Sequence, residues 1–219
     1  MLQNERQLWN RGTRRVAGVD EAGRGTLAGP VVAAALVFDP DFLANEEHGL
    51  LAGLTDSKQL SAVQREHFFA LLTDSEHVQF GIGFSPATEI DQINILQATY
   101  LAMQRALNNL QPLPEHALVD GRPVPNLPCA STAIPHGDSL SLSIAAASVI
   151  AKVTRDRWMT ELDRANPEYG FGRHKGYGTA AHIQSLLKHG PMAQHRRSFR
   201  PVRDIEAIRR QMPVVEVKS

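Results

Sequence analysis

The chain contains a single cysteine, Cys129, among its 219 residues. One thiol cannot form an internal disulfide or supply a cysteine-rich zinc site, so neither can stabilise this fold. Long apolar runs are also missing, because the longest ones fall far short of the roughly 20 residues that a membrane span requires. Residues 1–15 lack the apolar core of a signal peptide. The sequence therefore predicts a cytoplasmic protein with no membrane partner.

Several catalytic signatures are absent as well. The sequence has no G-x-S-x-G nucleophile elbow and no H-E-x-x-H helix. Gly23, Gly25 and Ala28 have the spacing of a dinucleotide-binding fingerprint. That fingerprint must open a helix, whereas Gly29-Pro30 and a second apolar strand follow here. We therefore reject all three assignments.

Histidine and serine–lysine chemistry find little support. The nine histidines show no tight metal-ligand spacing. His182 and His189 lie seven residues apart on a predicted helix, and we expect them at the surface. Ser57-Lys58 has the residue types of a serine–lysine hydrolase, but adjacent residues make a poor nucleophile–base pair.

Charge is balanced overall and unevenly distributed. The formal net charge is zero, yet residues 151–203 carry 11 Lys/Arg against 4 Asp/Glu, and the remainder carries 12 against 19. A basic region indicates a polyanionic partner. A solvated helical surface explains the same charges equally well, so charge alone does not decide between them.

Short apolar runs bounded by turn residues predict a sheet. The predicted strands lie at about residues 15–20, 30–38, 78–84, 116–120 and 129–134. The short connection between the first two makes part of the sheet antiparallel, so we expect a mixed sheet.

Two long helices accompany these strands. Ser85-Pro86 supplies a cap and a first-turn proline for one helix. Its apolar residues recur at three- and four-residue steps, and we assign this stripe to core packing rather than to a partner-binding seam: Ile93, Leu96, Tyr100, Met103, Leu107 and Leu110. The other runs from Ser139 to about Asp163 and is apolar nearly all round, so it should be deeply buried.

Shorter helices are predicted at 61–73, 179–189 and 203–211. The order of elements indicates the α/β class. We expect one unit over residues 1–219, with a sheet core at about 14–163 and a basic helical C-terminal extension at about 164–219.

Acidic residues follow predicted strands directly. Asp20 and Glu21 end the first strand, and Asp120 ends the fourth. If those strands are neighbours, the carboxylates meet at one sheet edge, where their repulsion requires a cation. Asp138 precedes the buried helix, where an N-cap is the ordinary role. Oxygen ligands without cysteine favour Mg²⁺ or Mn²⁺, ions that commonly serve phosphoryl chemistry.

Glu21 presents a geometric difficulty. Neighbouring residues of a strand point to opposite faces, so Asp20 and Glu21 cannot both reach one ion from a regular strand. The strand breaks at Glu21, or Glu21 contributes its backbone carbonyl, or it serves a second ion. The sequence leaves these alternatives open.

Short segments spread in one order over residues 16–203 carry a family resemblance. They are 19–25 (VDEAGRG), 55–58 (TDSK), 120–121 (DG), 137–138 (GD), 144–157 (IAAASVIAKVTRDR), 175–179 (KGYGT) and 195–199 (HRRSF). Together they closely resemble bacterial ribonuclease HII, the type 2 ribonuclease H. The resemblance implies a ribonuclease H-like fold, a mixed five-stranded sheet flanked by helices.

The resemblance also implies an activity. It is Mg²⁺- or Mn²⁺-dependent endonucleolytic cleavage of RNA paired with DNA, and of duplex DNA on the 5′ side of an embedded ribonucleotide, leaving 5′-phosphate and 3′-hydroxyl ends. By motif position, the catalytic and metal-binding acids are Asp20, Glu21, Asp120 and Asp138. The sensor of the ribonucleotide 2′-hydroxyl is Gly23, Arg24, Gly25 and Tyr177.

The residues themselves fit these roles. Only the 2′-hydroxyl separates RNA from DNA at a given site. Glycine backbone can approach a sugar closely, and Tyr177 offers a ring and a hydroxyl, although packing of the loop is its alternative role. Other expected substrate contacts, chiefly with phosphates that position the duplex, are Ser57, Lys58, Lys175, Arg196 and Arg197, with Arg173 and Arg200 beside them.

Two rival functions remain open at this stage. Another divalent-metal phosphoesterase would not need a ribonucleotide sensor, and a non-catalytic hybrid-binding module would lack some of the acids. We expect a monomer whose partners are RNA/DNA hybrids and ribonucleotide-containing duplex DNA. The tail MPVVEVKS shows no evident sliding-clamp motif, and we see no N-terminal extension that could form the extra domain of the related ribonuclease HIII.

Overall fold

A five-stranded mixed sheet forms the centre of the molecule, as the sequence predicts. In the computed structural model, which describes residues 1–211, the strands are β1 (Val16–Ala22), β2 (Val31–Phe38), β3 (Val78–Ser85), β4 (His116–Asp120) and β5 (Ala130–Ile134). Their spatial order is β3-β2-β1-β4-β5. The pairs β1–β2 and β2–β3 are antiparallel, whereas β1–β4 and β4–β5 are parallel.

The helices flank this sheet. They are α1 (Gln3–Trp9), α2 (Pro40–Glu46), α3 (Ala62–Asp74), α4 (Ala87–Asn108), α5 (Leu142–Ala165), α6 (Phe171–His174), α7 (Ala180–His189) and α8 (Arg200–Gln211). The predictions of α3, α7 and α8 are confirmed. The short helices α1, α2 and α6 were not predicted, although Asp39 and Pro40 give α2 an ordinary cap and first-turn proline.

Helix α5 packs directly on β1, and a glycine makes this possible. Residues 141–150 are all buried, which confirms the predicted deep burial of this helix. At Gly18, an added Cβ would lie only 2.0 Å from the carbonyl carbon of Ser143. Any side chain at position 18 would therefore push α5 away from the strand that carries the acids.

Helix α5 begins later than predicted. A 3₁₀ turn spans Gly137–Ser139, and Ser141, not Asp138, caps α5 by accepting a hydrogen bond from the Ile144 N–H at 3.2 Å. Glu5 of α1 reinforces this start, since its Oε1 accepts hydrogen bonds from the hydroxyl of Ser141 and the N–H of Ser143. Asp138 is therefore free of the capping role that its position suggests.

Helix α4 changes direction at Asn94. This residue has φ 66° and ψ 164°, and its side chain accepts hydrogen bonds from the N–H groups of Leu96 and Gln97. It thus caps the longer second part of the helix. Most of the predicted stripe packs into the core, whereas Leu96 stays 37% exposed because the break shifts the helical phase.

The C-terminal extension is helical, as predicted. Between residues 166 and 211 the chain adds no strand to the sheet, and one isolated antiparallel bridge, Ala28 with His195, ties it to the loop after β1. None of the helices in residues 1–211 is both long and apolar enough to cross a bilayer. The clamp-motif prediction concerns residues 212–219, which lie outside the described residues.

Candidate active site

Parallel strands bring two of the predicted acids together. In the β1–β4 ladder Val19 pairs with Val119, so Asp20 and Asp120 follow at adjacent positions of neighbouring strands. The predicted convergence at one sheet edge is thus confirmed for Asp20 and Asp120. One carboxylate oxygen each from Asp20, Asp120 and Asp138 lies within 4.8 Å of the others.

The 3₁₀ turn delivers the third acid. The Gly137 N–H donates a hydrogen bond to Oδ1 of Asp120 at 2.7 Å, which fixes Asp138 beside it. A Cβ at Gly137 would meet Cδ1 of Ile144 at 2.6 Å, so the turn fits only as glycine without local movement. Asp138 is 7% exposed and faces the cluster rather than solvent.

The cluster concentrates negative charge in a buried position. Asp20 is 3% exposed, and its pKa is raised well above the usual value by burial first and then by the charges of Glu21 and Asp120. Burial and Asp120 likewise raise the pKa of Asp138. Burial and mutual repulsion both oppose ionisation of these carboxylates. Three oxygen ligands at this spacing fit a hard divalent cation, whose charge would stabilise their ionised form.

Glu21 stays apart from the cluster. Strand β1 continues to Ala22, so the strand does not break at Glu21. The Glu21 N–H donates to Oδ1 of Asp20 at 2.7 Å, whereas its carboxylate accepts from Arg24 at 3.2 Å. Burial raises the pKa of Glu21, and Arg24 opposes that rise. The backbone-carbonyl and second-ion alternatives remain for Glu21.

Segment 55–58 lies along the same edge. Nζ of Lys58 is 3.8 Å from Asp56 and 3.9 Å from Asp138. Burial alone would lower the pKa of Lys58, but the surrounding carboxylates outweigh it and raise the pKa. Asp56 is thus a further acid at this site, one that the sequence analysis overlooked although it lies within the quoted TDSK segment.

Ser57 differs from its predicted role. It is 3% exposed, and its Oγ lies 2.8 Å from Oγ of Ser148 on α5. Ser148 in turn hydrogen-bonds the Asp20 carboxylate. The Ser57 side chain is therefore enclosed by protein and supports Asp20 indirectly, contrary to the prediction that it contacts substrate.

The turn after β1 is shaped for close approach. Gly23 has φ 97°, and a Cβ there would lie 2.0 Å from Nε of Arg155. Arg24 and Gly25 are exposed, and a Cβ at Gly25 would meet nothing within 4 Å. The turn thus presses against the protein on one side and leaves open space on the other.

Tyr177 is held by its backbone and presents its side chain. The Tyr177 N–H donates to the carbonyl of His174 at 2.8 Å, and the ring is 44% exposed. This exposure argues against the packing alternative. Beneath the loop, His182 is fully buried, so its predicted surface position is wrong, whereas His189 is exposed as expected.

Arg196 is not a phosphate contact. It is fully buried, and its guanidinium donates to the carbonyl oxygens of Gly23, Arg24 and Gly29 at 2.6–3.1 Å. Every one of these acceptors is backbone, and the buried side chain cannot reach a duplex. Burial lowers its pKa to about 9, which leaves it charged at neutral pH.

Arg155 of α5 has the same character and was missed in the sequence. It is 1% exposed and donates to the carbonyls of Ala28, Pro30 and Lys175. Burial lowers its pKa to about 10. The available signal was helical spacing: Arg155 lies four residues from the apolar Ala151 and Met159, on the face that is buried, and a charge there must find buried acceptors.

Two predicted phosphate contacts keep accessible positions. Arg197 is exposed, and its backbone N–H is fixed by Asp91 at 2.9 Å. Lys175 is half-buried and its Nζ donates to Thr160 at 2.7 Å. Arg197 is therefore better placed than Lys175 to meet a second molecule.

Comparison with known proteins gives one consistent result. Residues 17–202 match the ribonuclease HII family. The chain is 52% identical over 205 residues to the ribonuclease HII of Geobacillus kaustophilus, covering 94% of this chain and 75% of that protein. The ribonuclease H2 crystal structure from Pyrococcus horikoshii OT3 superposes with a TM-score of 0.73 at 29% identity, covering 90% of this chain and 100% of that one.

A second solved structure has the same fold. It is the PCNA:RNase HII complex from Archaeoglobus fulgidus, with a TM-score of 0.67 at 25% identity and coverage of 85% of this chain and 95% of that one. The likenesses extend over both the sheet and most of the helical extension.

Proposed function

The chain belongs to the ribonuclease HII family, a family of endonucleolytic hydrolases, and on that premise we propose a specific reaction. The protein cleaves the RNA strand of RNA/DNA hybrids and cuts duplex DNA on the 5′ side of an embedded ribonucleotide. Water attacks the phosphorus and the P–O3′ bond breaks, so the 3′ oxygen leaves as a hydroxyl and the phosphate stays on the 5′ oxygen. The observation that carries this proposal is the cluster of Asp20, Asp120 and Asp138 oxygens within 4.8 Å.

The acids would hold Mg²⁺ or Mn²⁺. A divalent ion there supplies electrostatic stabilisation for charge developing on the phosphodiester and makes water a better nucleophile at neutral pH. Asp20, Asp120 and Asp138 would bind it, and Glu21 would add its carbonyl or serve a second ion. The Lys58 ammonium, 3.9 Å from Asp138, balances the excess negative charge and orients a phosphate.

Ribonucleotide recognition belongs to the exposed side of the turn and loop. The open space at Gly25 and the exposed ring of Tyr177 support a pocket for the sugar between them. The 2′-hydroxyl is both donor and acceptor, so the backbone of the turn and the phenol hydroxyl can each bond it. The ring stacks on the sugar or base.

The remaining assignments follow from the substrate. Arg197 and Lys58 contact phosphates, which positions the duplex without reading its sequence. We place the activity in the cytoplasm, with the chromosome, and propose that residues 1–219 act as one monomeric catalytic unit. Sliding-clamp recruitment is not part of this proposal.

The deciding experiment uses matched duplexes. One carries a single internal ribonucleotide, one is all DNA, and one is an RNA/DNA hybrid, each incubated with Mg²⁺ or Mn²⁺. We expect cleavage of the first on the 5′ side of the ribonucleotide, cleavage of the hybrid, and an intact DNA duplex. Equal cutting of all-DNA duplex would support a general phosphoesterase, and binding without cleavage a non-catalytic module.

A further inference from the structure

Arg196 determines where the turn after β1 points its N–H groups. Its guanidinium bonds the carbonyls of Gly23 and Arg24 at 2.6 and 2.8 Å from the protein interior. A trans peptide plane places C=O and the following N–H on opposite sides. The N–H groups of Arg24 and Gly25 are therefore turned away from the buried guanidinium. Neither has an acceptor within residues 1–211.

A chain of histidines holds the other half of the proposed sensor. Nδ1 of His195 accepts the Met192 N–H at 3.0 Å, so the ring proton of His195 lies on Nε2. That proton points to Nε2 of His182 at 3.0 Å, and the remaining proton of His182, on Nδ1, is donated to the Tyr177 carbonyl at 2.9 Å. Each link fixes the next tautomer.

Burial keeps this chain neutral. It lowers the pKa of His182 to about 4 and that of His195 to about 3. The rings of Tyr169 and Phe171 pack against His195 with centroids 5.2 and 5.6 Å away. A neutral, fully bonded chain is directional, because each ring has one donor and one acceptor, and it can hold the Tyr177 carbonyl in a single orientation.

The two anchors are consecutive residues. His195 reaches Tyr177 through His182, and Arg196 reaches Gly23 and Arg24 directly. Their backbone is tied to the segment between, since the Arg196 N–H donates to the Leu27 carbonyl at 2.9 Å and the Gly29 N–H donates to the Gln194 carbonyl at 2.8 Å. The dipeptide His195-Arg196 is thus connected both to Tyr177 and to the Gly23–Gly25 turn.

We propose that His195-Arg196 is the positioning pair that sets the separation of the Gly23–Gly25 turn from Tyr177 and thereby the selectivity for a ribonucleotide. The inference rests on the proposed function. Neither residue touches substrate: Arg196 acts through the peptide N–H groups of the turn, and His195 acts through His182 on the tyrosine backbone. Their loss should affect the 2′-hydroxyl discrimination more than general duplex affinity.

The test measures discrimination without turnover. In an Asp120→Asn background, dissociation constants are compared for the single-ribonucleotide duplex and the all-DNA duplex. We expect Arg196→Lys and His195→Phe each to reduce the affinity ratio by about tenfold, since one or two positioned hydrogen bonds are lost, with the all-DNA affinity unchanged. His195→Gln keeps a donor near the Nε2 position and should restore most of the ratio. Arg164→Lys and His189→Phe, both exposed, are the matched controls.

Two further measurements test the proposal independently. If Arg196→Lys fails to fold, the His195→Phe and His195→Gln pair decides alone. In the wild type, imidazole ¹⁵N shifts at pH 7 should show His195 protonated on Nε2 and His182 on Nδ1, and the opposite tautomers would overturn the chain. An unchanged affinity ratio in folded variants overturns the positioning role only. A wild type without discrimination overturns the proposed function and this inference together.

Discussion

The carboxylate cluster and the Gly23–Gly25 turn lie side by side at the end of β1 but are held in opposite ways. At the cluster, Asp20, Asp120 and Asp138 bring like charges within 4.8 Å of one another. At the turn, the buried cations Arg155 and Arg196 are surrounded by backbone carbonyls, which accept most of their hydrogen bonds. The carboxylate cluster needs a bound cation to offset its repulsion, whereas the arginines at the turn find their hydrogen-bond acceptors within the protein.

This difference separates two meanings of a buried charge. A charge whose neighbours repel it costs stability until a ligand arrives, so it indicates function. A charge whose donors all find acceptors stabilises the connection between segments, so it indicates architecture. The basic extension adds an exposed charge beside a buried one, because Arg196 is internal while Arg197, the next residue, is exposed.

The largest expected effect comes from breaking the cluster. Asp20→Asn should lower cleavage by about a thousandfold or more, because several kcal/mol of charge stabilisation are lost, while duplex binding stays largely intact. Thermal melting should rise with Mg²⁺ or Mn²⁺ in the wild type and not in the variant. Without metal the variant should melt no lower than the wild type. Near-normal activity, with exposed Asp41→Asn as control, would refute the metal-site assignment.

Replacing Arg155, which bonds the segment after β1, should lower the free energy of unfolding. Arg155→Met removes hydrogen bonds to several buried carbonyls, at a cost of about 3 kcal/mol or more. The melting temperature should fall by roughly 6–12 °C for a chain of this size. Arg164→Met, on the exposed end of the same helix, should shift it by no more than about 1–2 °C. Equal shifts in the two variants would show that Arg155 is not an internal anchor.

The two regions should respond to pH with opposite sign. His182 and His195 have folded pKa values of about 4 and 3, below the unfolded value of 6.5. The unfolded state therefore binds more protons between these limits, and stability falls as the pH drops below about 6.5, by up to about 1.4 kcal/mol per pH unit for each histidine. The raised pKa values of Asp20 and Asp138 work the other way, since their contribution is present at low pH and is lost as pH rises.

Denaturant unfolding at several pH values separates these contributions. Relative to the wild type, His195→Gln should flatten the loss of stability between about pH 6 and 4.5, and Asp20→Asn without metal should remove the opposing trend at higher pH. Curves that stay parallel to the wild type in both variants would show that neither group has a shifted pKa.

The smallest expected effect distinguishes the neighbouring arginines. Arg197→Ala should reduce the slope of log affinity against log salt by about one unit, because one phosphate contact is lost. Arg196→Lys should leave that slope unchanged, because position 196 is buried and lysine keeps the positive charge. If Arg196→Lys alone altered the slope, the assignment of the two residues would be reversed.

Much of the fold and the acidic site could be predicted because both follow from local patterns. Asp20 and Asp120 stand directly after apolar runs, and parallel neighbours must bring such positions together. The stripe along α4 was predicted from its period, and only Leu96 departs from it. Asn94 causes that departure by restarting the helix, which a fixed period cannot anticipate.

What could not be predicted depends on partners distant in sequence. Arg196 and Arg197 are the same residue type, and only the position of the distant Gly23 and Gly29 carbonyls decides which one is buried. His182 looked like a surface residue on an amphipathic helix for the same reason. Asp56 lay within a recognised segment but away from any strand end, so the strand-end rule did not find it.

The hydrogen bond from Arg196 to the Gly23 carbonyl spans 173 positions of the chain. A ribosome that has just added Gly23 must still add 173 residues before Arg196, which anchors the turn, is present. Asp20, equally early, waits for Asp120 and Asp138. A chain that ends before residue 138 therefore lacks the complete acid cluster, and a product truncated between residues 138 and 196 keeps the acids without the anchor of the turn. Synthesis must therefore pass residue 196 before the turn acquires this anchor.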